Sequence, residues 1–309
     1  MQLRPDPSGQ VWSIVDPTDT VVGEVRLRWV DERNATAELA CRVVPEARRQ
    51  RVASRSCAMV SRWAFEHGYQ RIEAFTNRLD LAGHRTAIAA GFTYEATKIA
   101  AATGADGGRE DVYVWRRLPG DPDGPAERLL PDPPAAGVTD GVVLIRPQLE
   151  ADAECFVACW KDAQTQRWLN QPADKTVERA RLEIRRGGAD WLIGRAAHFT
   201  VVEVATGVPC GDCTVGLAMP DMGIAQLGYL IHPAFRGHGY AARAARLAAD
   251  WAMTVPAIGR LEVSAAVANK ASLRVIEKAG FRYEGVIRGY LPNPDGPRLD
   301  SRQSARVRD

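Results

Sequence analysis

The residues best suited to chemistry in this 309-residue chain form a short turn, Arg236-Gly-His-Gly-Tyr-Ala241. A strand pattern ends just before it at His232-Pro233, and an alanine-rich helical pattern follows it. Glycine lets the backbone bend tightly and approach a ligand closely. The free N–H groups and the positive dipole end of a helix attract anions, and Arg236 adds a full charge. The pattern therefore predicts a phosphate-binding turn, although a tight turn before any helix can have the same composition.

The elements around this turn follow a mixed order of strands and helices. Ala225, Leu227, Tyr229 and Ile231 recur at period two, which predicts a strand with one buried face. The segments 152–164 and 176–186 have helical spacing, and two strands joined by Thr206-Gly-Val-Pro209 precede residue 225. Strand, helix and strand patterns follow the alanine-rich helix. The order predicts an α/β (α+β) fold, in which a mixed sheet carries helices on its faces.

The sequence around the turn occurs twice. AELACRVVPEARRQRVASRSCAMVSRWA begins at Ala37, and AQLGYLIHPAFRGHGYAARAARLAADWA begins at Ala225, at an offset of 188 residues without a gap. One further residue in the second copy then aligns Gly91-Phe92 with Gly280-Phe281. Between the copies lies a proline-rich segment that is typical of a linker. We therefore predict two domains of one fold, at 1–118 and 139–309, joined by a linker at 119–138.

The composition excludes several classes of protein. Hydrophobic residues make up 46% and charged residues 25% of the chain, as in globular proteins, so a mainly disordered chain is excluded. The net charge of +2 argues against a protein-wide electrostatic attraction to nucleic acid or membrane. No segment approaches a membrane-spanning helix, and the N-terminus lacks the apolar core of a secretory signal. We expect a cytoplasmic protein with neither nucleic acid nor membrane as a partner.

The cysteines offer a possible metal site. Cys210-Gly-Asp-Cys213 resembles half of a zinc site, and Cys155 and Cys159 share one helical face. However, residues three apart on a strand face opposite sides of a sheet, which separates Cys210 from Cys213. We therefore predict that the cysteines are small buried hydrophobic residues and that the protein holds no metal.

Two segments of the second copy resemble a known family. Arg236-x-x-Gly239-x-Ala241 resembles the Q/R-x-x-G-x-G/A signature of the GCN5-related N-acetyltransferase (GNAT) superfamily. The segment from Asn269 through Ser272 to Phe281 is similar to N-x-x-S-x-x-x-x-E-K-x-G-F of its ribosomal-protein N-terminal acetyltransferase branch. The resemblance covers essentially the whole second domain. Through the repeat, it implies two tandem GNAT-like domains, each a mixed, mostly antiparallel sheet flanked by helices.

The resemblance also implies a ligand and the residues that hold it. Acetyl-CoA would be the acyl donor, with its pantetheine arm along the strand that contains Tyr229 and its pyrophosphate on the backbone of residues 237–241. Asn269 would bond to the pantetheine region, or cap the following helix, or do both. The residues implied to contact the cofactor are Leu230, Ile231, His232, Arg236, Gly237, His238, Gly239, Tyr240, Ala241, Asn269 and Ser272.

The reaction implied by the resemblance is direct attack of an amine on the thioester. A backbone N–H of the Tyr229 strand would stabilise the oxyanion, and Ser272 would protonate the thiolate. Tyr229 is a further catalytic candidate, with packing as its alternative role. Relatives often carry Glu where this chain has Gln226, which cannot accept a proton. Glu203, Asp212 or a bound water would then serve as the base.

The first copy departs from this pattern. Arg51 stands at the position of Gly239, Asp80 at that of Asn269, and Gly83 at that of Ser272. The two early helices of the fold are also missing from its sequence. We therefore predict a degenerate first domain that does not bind acetyl-CoA. In the second copy, the polar segment 299–307 is expected to form an edge strand or a loose end.

These patterns leave three functions open. The leading hypothesis is an N-acyltransferase that moves an acetyl group from acetyl-CoA to a primary amine, either a protein N-terminus or a small molecule. A non-catalytic acyl-CoA-binding or scaffold protein is the alternative, because of Gln226 and the degenerate first copy. Transfer of a larger acyl group such as succinyl is a third possibility. We expect a monomer or a homodimer.

Overall fold

The computed structural model describes residues 1–104, 107–168, 175–293 and 296–308. The chain divides into two compact units, Met1–Glu127 and Arg128–Asp309. The division falls inside the proline-rich segment at 119–138. Each unit contains one sheet with helices packed against it. Over the described ranges, every helix is too short or too polar to cross a bilayer.

The first unit is a seven-stranded sheet with two helices. Its strands are β1 (Gln2–Pro5), β2 (Val11–Val15), β3 (Val21–Asp31), β4 (Thr36–Val43), β5 (Arg71–Asn77), β6 (Thr93–Thr103) and β7 (Arg109–Arg117), and its helices are α1 (Val52–Glu66) and α2 (Leu81–Ala89). The strand order is β1-β2-β3-β4-β5-β7-β6. Only β4 and β5 pair in parallel, and the other neighbours are antiparallel.

The second unit repeats this plan with additions. Its strands are β8 (Val138–Thr139), β9 (Val143–Pro147), β10 (Ala196–Glu203), β11 (Pro209–Met219), β12 (Ile224–Ile231), β13 (Arg260–Ala266), β14 (Arg282–Leu291) and β15 (Leu299–Val307). Its helices are α3 (Ala153–Lys161), α4 (Ala163–Gln166), α5 (Val177–Leu192), α6 (Tyr240–Thr254) and α7 (Lys270–Lys278). The sheet order is β14-β15-β13-β12-β11-β10-β9-β8. The predicted fold class, two mixed sheets flanked by helices, is confirmed.

The two units differ most in the segment between β1 and β2 and its counterpart between β9 and β10. In the second unit, α3, α4 and α5 connect β9 to β10, whereas residues 6–10 alone connect β1 to β2 in the first. The expected loss of the two early helices is therefore confirmed for the described residues of the first unit. The structure adds a short strand, β1, where the sequence predicted no element.

The polar segment at the C-terminus forms a strand, but not at the edge of the sheet. β15 lies between β13 and β14 and is hydrogen-bonded to both, with Ala305 opposite Glu262 and Ser301 opposite Ile287. Two bonded neighbours satisfy the backbone of β15, and its small side chains Ser301, Ser304 and Ala305 are buried. The edge placement was wrong, because the polarity of a strand does not determine which strands flank it.

The helices cover both faces of the second sheet. On one face, the alanines of α6 pack closely with Phe199 and Trp251, whose ring centroids lie 5.1 Å apart. On the other face, α5 lies against His198, the neighbour of Phe199 in β10, so closely that a β-carbon at Gly187 would lie 3.1 Å from Cδ2 of His198. The helices α3 and α5 share a second, smaller apolar cluster. Within its described residues, the first unit has no counterparts of α3, α4 and α5.

Cys210 and Cys213 are fully buried and belong to the same core cluster. The regular alternation on which the expectation of opposite faces depended does not hold between them. A shift of register between Val201 and Val202 inserts an extra residue into β11, which changes the alternation of its side chains. The reading of both residues as small buried hydrophobic groups agrees with their burial.

Candidate functional site

The site is built where two strands of the second sheet separate. β12 and β13 pair in parallel only over 224–226 and 260–262. Beyond them, residues 227–231 stay bonded to β11 on one side and have no strand partner on the other among the described residues. Their N–H and C=O groups therefore face a gap. Such an unpaired edge is a template for an extended ligand that carries amide groups.

A cavity of about 650 Å³ occupies this gap. Its walls are residues 227–231 of β12, residues 263–266 of β13, parts of α7, and the glycine turn with the start of α6. Gln164, Thr165 and Trp168 close a further side. These last three residues were not predicted. The only signal for them in the sequence is Asp162, a preferred N-cap residue, at the beginning of their short helix.

The glycine turn forms one end of the cavity. Gly237 and Gly239 have φ values of +85° and +80°, and Gly239 is the N-cap of α6. A β-carbon at either glycine would contact no atom within 4 Å. Glycine is therefore favoured here by the left-handed backbone, and the space beside it is open. The predicted turn, the first amides of α6 and the cavity meet at one place, as anion binding requires.

The side chain of Arg236 is not free to supply its charge to an anion. Its guanidinium donates to Asp162 Oδ2 at 2.6 Å, Gln164 Oε1 at 2.8 Å and Thr165 Oγ1 at 2.9 Å. The sequence predicted that Arg236 adds a full charge to the turn, and in the structure this charge is paired with Asp162. A carboxylate distant in sequence neutralises the arginine, and this pairing depends on the tertiary structure.

The two histidines near the turn do not line the cavity. His232 Nδ1 accepts a hydrogen bond from the N–H of Ala234 at 3.2 Å, which caps the short 3-10 turn that follows. The ring of His238 lies 5.6 Å from the ring of Tyr240, centroid to centroid. The side chain of His232 thus stabilises the short 3-10 segment, Pro233–Phe235, that precedes the glycine turn.

Two predicted catalytic residues, Tyr229 of β12 and Ser272 of α7, lie in contact with each other. The hydroxyl of Tyr229 lies 2.7 Å from Ser272 Oγ and donates to the carbonyl of Ser272 at 3.2 Å. Both residues line the cavity. Burial raises the pKa of Tyr229 to about 12, so its phenol stays protonated at neutral pH. Asn269 caps α7 by accepting the N–H of Ser272 at 3.1 Å, and it also lines the cavity.

Glu203 lies away from this pair. It ends β10, accepts a bond from Thr206 Oγ1 at 2.6 Å and a short one from the hydroxyl of Tyr240, and does not line the cavity. Hydrogen bonds from Thr206 and Tyr240 hold its pKa below the usual range. Phe199 of β10 pairs with Cys213 of β11, which pairs with Tyr229 of β12. Glu203 lies four residues beyond Phe199, so it is about 13 Å along the strand direction from the level of Tyr229. The structure does not bring this predicted base to the reacting groups.

Asp212 is the other carboxylate that the sequence suggested as a base. It lies on β11 directly opposite Leu230, which lines the cavity, but Asp212 itself is not one of the lining residues. Burial raises the pKa of Asp212 to about 7, against the opposing effect of the Lys175 charge. Its Oδ1 is buried and has no hydrogen-bond partner within the described part of the chain. A carboxyl group in this state can exchange a proton near neutral pH.

The first unit keeps the shape of the turn without its glycines. Arg49 and Arg51, which align with Gly237 and Gly239, have φ values of +60° and +58°. Asp80 caps α2 by accepting the N–H of Gly83 at 2.8 Å, as Asn269 does for α7. The left-handed turn therefore persists, but two arginine side chains stand where the second unit has open space.

Comparison of the sequence with protein families gives one match. The sequence model of the acetyltransferase (GNAT) domain matches residues 1–93 and 142–282. The uncharacterized N-acetyltransferase p20 of Bacillus licheniformis is 26% identical over 152 residues, which cover 49% of this chain and 85% of the relative. The uncharacterized N-acetyltransferase YoaA of Bacillus subtilis (strain 168) is 24% identical over 153 residues, 50% of this chain and 86% of the relative.

Solved structures share the fold. A RimL ribosomal L7/L12 alpha-N-protein acetyltransferase in complex with coenzyme A has a TM-score of 0.51 at 19% identity, over 56% of this chain and 98% of that chain. The microcin C7 self-immunity acetyltransferase MccE, in complex with acetyl-CoA and AMP, has a TM-score of 0.50 at 18% identity, over 56% and 97%. At these identities the likeness concerns the fold.

Proposed function

This chain belongs to the GNAT acetyltransferase family, and we propose that its second unit transfers an acetyl group from acetyl-CoA to a primary amine. The acceptor is a protein N-terminus or a small-molecule amine. The observation that carries the proposal is the gap between β12 and β13. It has an amide-rich glycine turn at one end and the Tyr229–Ser272 pair on its wall.

The donor would lie along this gap. The amide groups of a pantetheine arm match the unpaired N–H and C=O groups of residues 228–231, in the manner of an added strand. The diphosphate would then meet the backbone N–H groups of residues 237–241, supported by the dipole of α6. Asn269 uses its oxygen to cap α7, so its NH₂ group can donate to the pantetheine.

The reaction forms a C–N bond and breaks the C–S bond of the thioester. The gap holds both reactants together, which is where much of the rate gain of such enzymes arises. A main-chain N–H of the β12 edge stabilises the oxyanion. Ser272 donates the proton that the thiolate gains and regains one from the attacking nitrogen, which loses its second proton as the amide forms. The Tyr229 hydroxyl, 2.7 Å from Ser272 Oγ, orients the serine. The acetyl group is then bonded to the acceptor amine, and CoA leaves as the free thiol.

The incoming ammonium must first lose a proton. We assign this proton to Asp212, through a bound water. Its pKa of about 7 suits it to the task at neutral pH, and its strand adjoins the one that lines the cavity. Glu203 is a poor candidate for this step, because its pKa is lowered and it lies at the far end of β10.

The first unit would not carry out this reaction. It has Gly83 at the position of Ser272 and arginines at both glycine positions of the turn. Its described residues also include no counterparts of the helices α3, α4 and α5 of the second unit. We assign it a structural role.

The proposal is tested with the full chain. Calorimetric titration with CoA should show one site per chain. Incubation with acetyl-CoA and a panel of amines, including a peptide with a free N-terminus and spermidine, should release free thiol. Absence of CoA binding at millimolar concentration would contradict the proposal. CoA binding without turnover on any amine would favour an acyl-CoA-binding protein, and faster turnover with succinyl-CoA would assign a larger acyl group.

A further inference from the structure

We propose that Arg236 is a positioning residue that couples the donor-binding turn to the helix α4, which forms another wall of the cavity. This inference rests on the proposed function. The guanidinium makes three hydrogen bonds of 2.6 to 2.9 Å, to Asp162, Gln164 and Thr165. All three partners belong to α4 or to its N-cap. The first residue of the turn therefore holds the helix that faces it.

The partners of Arg236 also shape the cavity. Asp162 caps α4 by accepting the N–H of Thr165 at 2.9 Å, with the same oxygen that accepts from Arg236. Gln164 and Thr165 line the cavity directly, and so does Trp168 just after the helix. A helix of only four residues has little stability of its own. Its position therefore depends on the contacts made by its cap and by Arg236.

The charges at this bridge favour the paired state. Burial acts to raise the pKa of Asp162, but hydrogen bonds from Arg236 and from the N–H of Thr165 outweigh it and hold the pKa below its usual value. The carboxylate therefore stays ionised near neutral pH. Arg236 and Asp162 are both partly shielded from solvent, which reduces the screening of their attraction.

The first unit provides an internal comparison. Arg48 aligns with Arg236, but no helix corresponding to α4 exists between β1 and β2. The side chain of Arg48 instead donates through Nε to the carbonyl of Val43, in the strand just before the turn, at 3.3 Å. The bridge to a facing helix is thus specific to the unit that has the cavity.

A consequence for binding follows from this arrangement. A donor that fixes the turn also fixes Arg236, and Arg236 fixes α4. Donor binding should then order the wall formed by Gln164, Thr165 and Trp168, and so prepare the site for the amine. Because such coupling is reciprocal, a bound amine should strengthen donor binding by the same factor.

The inference is tested by hydrogen exchange of the full chain with and without CoA. CoA should slow exchange of the wild-type segment 160–168 at least about threefold. Asp162→Asn should lose this protection, while its Kd for CoA changes less than about threefold. Asp140→Asn is the matched control. Asp140 pairs with Arg243 on α6 at 2.6 Å, also beside the donor turn but away from α4, and its loss should leave the protection intact.

Activity provides a second measurement. With the amine of the panel that supports turnover, Asp162→Asn and Arg236→Lys should raise the KM for the amine about tenfold and change kcat less than threefold. Wild-type protein that binds CoA without slowing exchange at 160–168 would overturn the inference alone. The inference would also be overturned if Arg236→Lys weakened CoA binding tenfold while CoA still slowed exchange at 160–168. Arg236 would then hold the diphosphate. Failure of the wild type to bind CoA would instead contradict the proposed function.

Discussion

Replacing Gly239 by arginine should abolish CoA binding and leave the second unit folded. Gly239 has a φ of +80°, and a β-carbon there would contact no atom within 4 Å. The protein therefore has room for the side chain. The expected loss of stability is the left-handed strain of a non-glycine residue less the entropy that glycine adds to the unfolded chain, about 0.5–1 kcal/mol. Arg51, at a φ of +58° in the first unit, shows that a turn of this shape accommodates arginine.

The loss of affinity follows from what the new side chain would cover. The open space beside Gly239 is the approach to the first amides of α6. Hydrogen bonds from such amides to a charged acceptor contribute about 1.5–3 kcal/mol each. Losing two of them would weaken CoA binding by about 3–6 kcal/mol, which corresponds to at least about 100-fold in Kd.

Calorimetry with CoA and urea unfolding together measure both quantities. Gly239→Ala is the matched control, because it has the same backbone strain and adds only a methyl group. It should lose similar stability but bind CoA within about tenfold of the wild type. Wild-type affinity in Gly239→Arg would show that the diphosphate binds elsewhere. A loss of stability above about 4 kcal/mol in either variant would show that the turn is packed, contrary to the open space in the structure.

Three further substitutions test the remaining assignments. Ser272→Ala should lower kcat by about 100-fold and change the Kd for CoA less than threefold, as measured by thiol release and calorimetry. In the wild type, turnover should rise with pH up to about 7, where Asp212 ionises, and Asp212→Asn should lose both this rise and most of the activity. The raised pKa of Asp212 means that the folded state holds a proton that the unfolded state releases. Wild-type stability to urea should therefore fall between about pH 4 and pH 7, and less so in Asp212→Asn. Arg51→Gly should stabilise the first unit by about 0.5–1 kcal/mol in urea unfolding, because relief of the left-handed strain exceeds the added entropy of glycine in the unfolded chain.

Local patterns in the sequence predicted the fold well. Period-two spacing in β12, the glycine turn before α6, and the repeat at an offset of 188 residues each depend on neighbours within a few positions or on direct comparison of the copies. These features determine which segments become strands, turns and helices. They also predicted that the first unit lacks the helices between its first strands.

The pairing of distant side chains could not be read in the same way. Arg236 is neutralised by Asp162, 74 residues away, and Tyr229 meets Ser272 across 43 residues. Each contact depends on which strands are neighbours and on their register. A single inserted residue interrupts the alternation of β11 between Cys210 and Cys213, and both residues are buried in the core.

The sequence therefore determined the number of domains, their class of fold and the place of the turn. The tertiary structure alone decided that Oδ1 of Asp212 is buried, which charges are compensated, and that the polar strand β15 lies between two others. The reason is physical. Backbone conformation follows mainly from local residue types, whereas the ionisation and availability of a side chain follow from the groups that folding brings within a few ångströms of it.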